Sequence, residues 1–166
     1  MDRIWSPWRM EYLDSHREED AGDGPGACVF CALLREDGEE RRVLQRGALA
    51  FVTLAKYPYN PGHLLVLPTR HVGEVEEIDP DEAAEAFELI QRSIRVLREA
   101  SEPHGFNVGL NLGRVAGAGI PGHLHWHVVP RWGGDTNFMP VVGETRVLPE
   151  LLEQTFEKLA PRFRSA

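Results

Sequence analysis

His123, His125 and His127 alternate with apolar residues in the run His123-Leu124-His125-Trp126-His127-Val128-Val129. Imidazole is the side chain that, near neutral pH, can serve as nucleophile, acid–base group or metal ligand. Read with a period of two, Leu124, Trp126 and Val128 fill one face of a strand while the histidines share the other. The spacing limits metal chemistry, because strand positions i and i+4 lie roughly 13 Å apart while zinc–nitrogen bonds are about 2 Å. One ion cannot hold all three. A neighbouring pair could share a metal, or one histidine could serve a metal while the next stays free; a polar strand face exposed to water is the plain alternative.

The flanking residues narrow the choice. Upstream, Asn111-Leu112-Gly113-Arg114-Val115-Ala116-Gly117-Ala118-Gly119-Ile120-Pro121-Gly122 is a glycine-rich connection able to turn backbone N–H groups toward an anion such as phosphate. Downstream, Pro130-Arg131-Trp132 supplies a strand stop, a cation and an aromatic plane that could stack on a base.

Together these residues resemble the histidine triad (HIT) superfamily, whose signature alternates histidine and apolar residues before a closing apolar pair. The resemblance extends to Tyr57-Pro58-Tyr59-Asn60-Pro61-Gly62-His63-Leu64-Leu65-Val66-Leu67-Pro68 and to Ile4-Trp5-Ser6-Pro7-Trp8-Arg9-Met10, so it covers nearly the whole chain. The continuation Gly133-Gly134-Asp135-Thr136-Asn137-Phe138-Met139-Pro140 is most similar to the bacterial branch related to diadenosine tetraphosphate phosphorylases.

The resemblance implies an enzyme that attacks the α-phosphorus of a nucleotide with His125, forming a nucleotidyl-histidine that water, phosphate or another acceptor opens. A neutral imidazole near its ordinary pKa of about 6.5 needs no strong base if one ring nitrogen is held as a donor. His127 would donate to a nonbridging or leaving-group oxygen, and Asn111 would position the phosphate. Backbone N–H groups of Gly117, Ala118 and Gly119 are candidates for further donors. Arg114 could meet distal phosphates, and Trp132 could stack on adenine. The implied substrates are dinucleoside polyphosphates, cleaved by phosphorolysis or hydrolysis, with phosphate as the co-substrate in the first case. Nucleoside phosphoramidate hydrolysis and nucleotide binding without turnover are the alternatives. His16 and His63 are read as exposed or locally bonded residues, and His104, in a Pro-His-Gly turn, as structural.

Cys28-Val29-Phe30-Cys31 holds the only two cysteines. A lone CxxC is a redox pair, half of a zinc site, or spare thiols. With His71 and His123 it can close a Cys2His2 zinc site, which zinc-bearing triad proteins and galactose-1-phosphate uridylyltransferases resemble. That assignment gives His123 to a structural metal, His125 to attack and His127 to phosphate.

The chain departs from the family pattern at two places. Many relatives carry a ribose-binding asparagine where this chain has Ala55 in Leu54-Ala55-Lys56. A hydroxyl is expected in the glycine-rich loop of a committed phosphorylase, and Gly117-Ala118-Gly119 has none.

The elements that must position these groups are legible. Ala48 to Leu54 and His63 to Leu67 read as antiparallel strands, Phe106 to Asn111 and His123 to Val129 as two more, and Val43 to Gln45 as a short fifth. Asp79, Pro80 and Glu82 open a long helix whose stripe Ala83, Phe87, Ile90, Ile94 and Leu97 is expected to face the core. A shorter helix, opened by Pro149, carries Leu151, Leu152, Phe156 and Leu159. The expected fold is α+β and HIT-like: an antiparallel sheet of about five strands with the long and C-terminal helices on one side.

With 166 residues, 42% of them hydrophobic, the chain reads as a single domain over 1–166 with an N-terminal arm over about residues 1–27, where Trp5 and Trp8 are core or interface anchors. A net charge of −8 argues against nucleic acid as a partner. No apolar run reaches membrane-span length and Met1-Asp2-Arg3-Ile4-Trp5 lacks a signal-peptide core, so no membrane partner and a cytoplasmic location are expected. Triad proteins pair through the long helix and adjoining sheet, which implies a homodimer.

Overall fold

The computed structural model describes residues 24–35, 42–135 and 150–164. Most of the expected N-terminal arm, with Trp5, Trp8 and His16, lies outside these residues, as does Pro149. Five strands, β1 (Val43–Arg46), β2 (Ala50–Leu54), β3 (Leu64–Pro68), β4 (Gly105–Leu110) and β5 (Trp126–Arg131), form one antiparallel sheet in the order β1-β2-β3-β5-β4. Helix α1 is a single turn (Val29–Ala32), α2 is the long helix (Pro80–Ser101) and α3 is C-terminal (Leu152–Arg164).

β2 and β3 are buried at every position because both faces of the sheet are covered. On one face Ala50, Val52, Leu54, Leu64, Val66 and Val128 pack with Ala86, Ile90 and Leu97 of α2 and with Leu159, Ala160 and Phe163 of α3. On the other, Phe51, Leu65 and Leu67 pack with Cys28, Phe30 and Leu33 in and beside α1. The two longer helices share one side as expected, but α1 sits on the opposite side. A four-residue turn is too short to show helical periodicity in sequence.

Two expectations are corrected. The buried face of α2 runs through Glu82, Ala86, Leu89, Ile90, Ser93, Val96 and Leu97, and leaves Phe87 60% exposed. Small Ala86 and Ser93 occupy the contact row and Phe87 stands on the neighbouring one. In α3 the buried anchor is Phe163, while Leu151 precedes the helix and is exposed.

The connection from β2 to β3 turns at Gly62, whose φ of 78° lies in the left-handed region and whose added Cβ would meet Leu97 Cδ2 at 3.0 Å. This turn sets the position of Tyr59, Asn60 and His63.

Helix α2 starts where Glu82 Oε2 accepts the Asp79 backbone N–H at 3.0 Å. The same buried carboxylate accepts Arg70 Nε and Nη2 at 3.0 and 2.8 Å. The Arg70 hydrogen bonds hold the Glu82 carboxyl below its ordinary range, with the Asp79 N–H adding to the effect. A depressed folded-state pKa stabilises the fold above the unfolded carboxylate value of about 4.3, and this stability is lost as pH falls through the folded value. Glu82→Gln is therefore expected to cost about 1–2 kcal/mol at pH 7. The gap to wild type should narrow below about pH 4.5. Denaturant melts at pH 7 and 3 check this, and an equal gap at both would refute it.

Candidate active site and metal centre

The sheet ladder of β5 begins at Trp126, so His123 and His125 lie before it and only His127 is within the strand. The segment peels away because the Leu124 N–H donates to the Val72 carbonyl at 2.7 Å. The histidine side is not a solvent face. His123 and His125 are buried, and His127 is half-buried beside Leu65, its neighbour across the ladder.

His123 Nε2–H donates to the Pro68 carbonyl at 2.9 Å, which leaves Nδ1 as the atom with a lone pair. That Nδ1 lies 3.5 Å from Cys28 Sγ and 3.6 Å from Cys31 Sγ, and His71 Nδ1 lies 3.4 Å from Cys31 Sγ. The ligand atoms of Cys28, Cys31, His71 and His123 all fall within 4.8 Å of one another. A tetrahedral ion with bonds of about 2.0 Å to nitrogen and 2.3 Å to sulfur sets its ligand atoms about 3.5 Å apart. The four residues therefore could hold a metal with little movement. Burial, together with the nearby Cys28, pushes the Cys31 thiol up to about 11, whereas a redox pair needs a lowered thiol. His125 and His127 stand outside the cluster; the spacing excluded all three on one ion, and the fold gives only His123 to the cluster.

His125 Nδ1–H donates to the His123 carbonyl at 2.8 Å. A carbonyl only accepts, so the proton is fixed on Nδ1 and the Nε2 lone pair is the nucleophilic one. Burial lowers the His125 pKa and keeps the ring neutral. Phe30 lies against it with ring centroids 5.1 Å apart. Phe30 stands between the two cysteines, so one turn of chain supplies metal ligands and a wall for the nucleophile.

The sequence reading missed His63. It is only 2% exposed, its Nδ1 accepts the Tyr59 N–H at 3.1 Å, and its Nε2 lies 2.9 Å from His127 Nδ1. Because His63 Nδ1 is an acceptor, a neutral His63 carries its proton on Nε2 and donates to His127 Nδ1. A neutral His127 then bears its proton on Nε2, a buried atom with no hydrogen-bond partner among the described residues. The signal was present in Asn60-Pro61-Gly62-His63, where the tight turn fixes the histidine at the start of β3.

The glycine-rich loop holds the other expected donors. Asn111 Nδ2 donates to the Gly117 carbonyl at 3.4 Å, a long bond that a better acceptor could replace. Arg114 opens an exposed 3₁₀ turn, Arg114–Ala116. The Gly117 and Ala118 N–H groups donate back to Arg114 and Gly113, so in this structure the turn uses both, and Ala118 is buried. Gly119 is exposed. Trp132 is pinned elsewhere, its indole N–H donating to the Ser101 carbonyl at 3.2 Å at the end of α2. Ala55, the departure at the ribose position, is buried in the core beside Phe30. His104 is structural as read, its Nδ1 accepting the Gly133 N–H at 2.8 Å.

A cleft of about 350 Å³ opens at His127 between β4, β5 and the β2–β3 connection. Gly109, opposite His127 in the ladder, presents no side chain to it.

The model of the HIT domain family matches residues 37–134, and the chain belongs to that family. It is 46% identical over 163 residues to the AP-4-A phosphorylase of Mycobacterium tuberculosis (strain H37Rv), covering 96% of this chain and 83% of that one. Among solved structures it is similar to a Zn-bound histidine triad family protein from Mycobacterium smegmatis, with TM-score 0.69 and 29% identity over 85% of this chain and 96% of that one. A hypothetical histidine triad nucleotide-binding protein from Sulfolobus tokodaii gives TM-score 0.68 and 27% identity over 82% and 92% of the two chains.

Burial, and secondarily the charge of His125, take the His127 pKa down to about 4. A histidine whose folded value is depressed stays neutral through the pH 5–8 range in which an ordinary imidazole titrates. In a pH series of NMR spectra, the His127 ring signals should remain those of the neutral form down to about pH 5, with the proton on Nε2. A midpoint near 6.5 would contradict the burial argument.

Proposed function

We propose that this chain is an enzyme that cleaves dinucleoside polyphosphates through a nucleotidyl-histidine formed at His125. The hydrogen bond from His125 Nδ1–H to the His123 carbonyl carries the reading, because it makes Nε2 a permanent nucleophile. Nε2 forms a bond to the α-phosphorus as the bridging P–O bond breaks, and the electron pair leaves with the polyphosphate. Nδ1 keeps its proton throughout, so the intermediate is a phosphorylated imidazolium and a good leaving group. An acceptor oxygen then attacks phosphorus, and the P–N electron pair returns to Nε2.

The His127 Nε2–H supplies the donor for a nonbridging or leaving-group oxygen, a role that explains why a buried N–H has no partner among the described residues. Asn111 Nδ2, with the backbone at Gly119, holds the phosphate from the loop side. The M. tuberculosis relative's name favours phosphate as acceptor, and the hydroxyl-free Gly117-Ala118-Gly119 favours water.

Incubation with diadenosine tetraphosphate, with and without phosphate, tests the reading. ATP plus ADP dependent on phosphate indicates phosphorolysis, and AMP plus ATP without it indicates hydrolysis. Wild-type protein quenched in base should carry an adenylyl adduct on His125. His125→Asn should carry none and lose activity by at least about a thousandfold. Turnover that persists in the variant would overturn the mechanism.

We further propose that Cys28, Cys31, His71 and His123 hold a structural zinc ion. Bound there, zinc supplies a cross-link between α1 and the segment before β5. We also propose a homodimer paired through α2 and the adjoining sheet, as the family resemblance implies. Native mass spectrometry should show two chains with one zinc each. A metal-free monomer at micromolar concentration would dispose of both proposals.

A further inference from the structure

The cleft that opens at His127 leads away from the nucleophile. Ring centroids step from Phe30 to His125 at 5.1 Å, from His125 to His127 at 5.1 Å and from His127 to Tyr59 at 5.6 Å. His127 and Tyr59 line the cleft together with Asn107, Val129 and Arg131, and His125 does not. Along β5 the side chains of His127, Val129 and Arg131 share a face, and the last lies about 13 Å from the first at about 3.3 Å per residue. A phosphorus attacked by His125 Nε2 expels its leaving group on the side opposite the nucleophile, since attacking and leaving atoms lie in line. The leaving-group oxygen is the one to which His127 is proposed to donate, and His127 lines this cleft together with Asn111.

The chemistry of the walls suits a nucleoside. At the far end Arg131 is held bidentate by Asp135 at 2.7 Å on both arms, and its Nη1 donates to Asn107 Oδ1 at 2.6 Å. Asp135 also accepts from Asn60 Nδ2 at 2.8 Å, so the guanidinium charge is compensated and its plane is fixed. A compensated, rigid polar end discriminates against another phosphate and accepts an uncharged base or ribose. Near the mouth Tyr59 stacks on His127 with 13° between ring planes and is 47% exposed. The volume, about 350 Å³, is at the lower end for a small-molecule site.

We propose that this cleft is the leaving-group subsite, which takes the second nucleoside of a dinucleoside polyphosphate, with Tyr59 as the stacking platform for its base. The proposal rests on the function given above. It makes Tyr59 a specificity-determining residue and gives the enzyme a reason to prefer two-ended over one-ended nucleotides.

The test compares diadenosine tetraphosphate with adenosine 5′-tetraphosphate, which differ only in the second nucleoside. Wild type should favour the former in kcat/KM. Tyr59→Ala should reduce that preference about tenfold, the order expected for loss of one base–aromatic stack, and Tyr59→Phe should keep it. A preference unchanged in Tyr59→Ala, or absent from wild type, overturns the subsite. Equal loss on both substrates also overturns it, because Tyr59 would then act only through His127. If wild type cleaves neither nucleotide, the function fails and the subsite with it.

Discussion

The hydrogen bond from His125 Nδ1–H to the His123 carbonyl has a defined geometry only if the His123 backbone is immobile. His123 is held from two sides: Nε2–H donates to Pro68 at the end of β3, and Nδ1 faces the thiols of Cys28 and Cys31. The cysteines belong to the same turn as Phe30, which packs on His125. A candidate metal cluster, a sheet end and the tautomer of His125 are thus one mechanical unit. Loosening any part would let the His125 ring rotate or exchange its proton between nitrogens, and the Nε2 lone pair would no longer be guaranteed.

A second chain of donors fixes the tautomer of His127. The Tyr59 N–H points at His63, His63 points at His127, and His127 Nε2 is left buried with no hydrogen-bond partner among the described residues. Burying three imidazoles in one cluster would be costly if any were charged, and burial drives all of the triad histidines toward the neutral form. Neutrality is what the chemistry asks for, because a protonated His125 has no lone pair. The energetic constraint on the fold and the electronic requirement of the reaction have the same sign.

The chain carries a net charge of −8 and yet is proposed to bind a polyanion. Long-range attraction does not assist it, so binding falls to local N–H donors at Asn111, His127 and the loop backbone, which act over hydrogen-bond distances. The sheet makes such placement precise to the residue. β3 and β5 pair Leu65 with His127, and β4 sets Gly109 opposite the same histidine, so the face that carries the donors is registered by the ladder.

By itself the sequence showed the strands and the long helix from Pro80, because these follow from periodicity and capping chemistry, while the separate tasks proposed for His123, His125 and His127 came from the family resemblance. With the resemblance it also grouped Cys28, Cys31, His71 and His123 as a candidate metal site, whose ligand atoms the fold brings within 4.8 Å of one another. It misjudged Phe87, placed as core by its spacing, because hydrophobic periodicity cannot tell a face packed on the sheet from one displaced by a single row. It passed over His63, which is 64 positions from its partner His127. Tertiary structure alone decided the tautomers, the carbonyl that locks His125, the use of the Gly117 and Ala118 N–H groups within their own turn, and the direction of the cleft. Each of these depends on which lone pair or N–H meets which partner across the fold, and a linear sequence carries residue types but not those meetings.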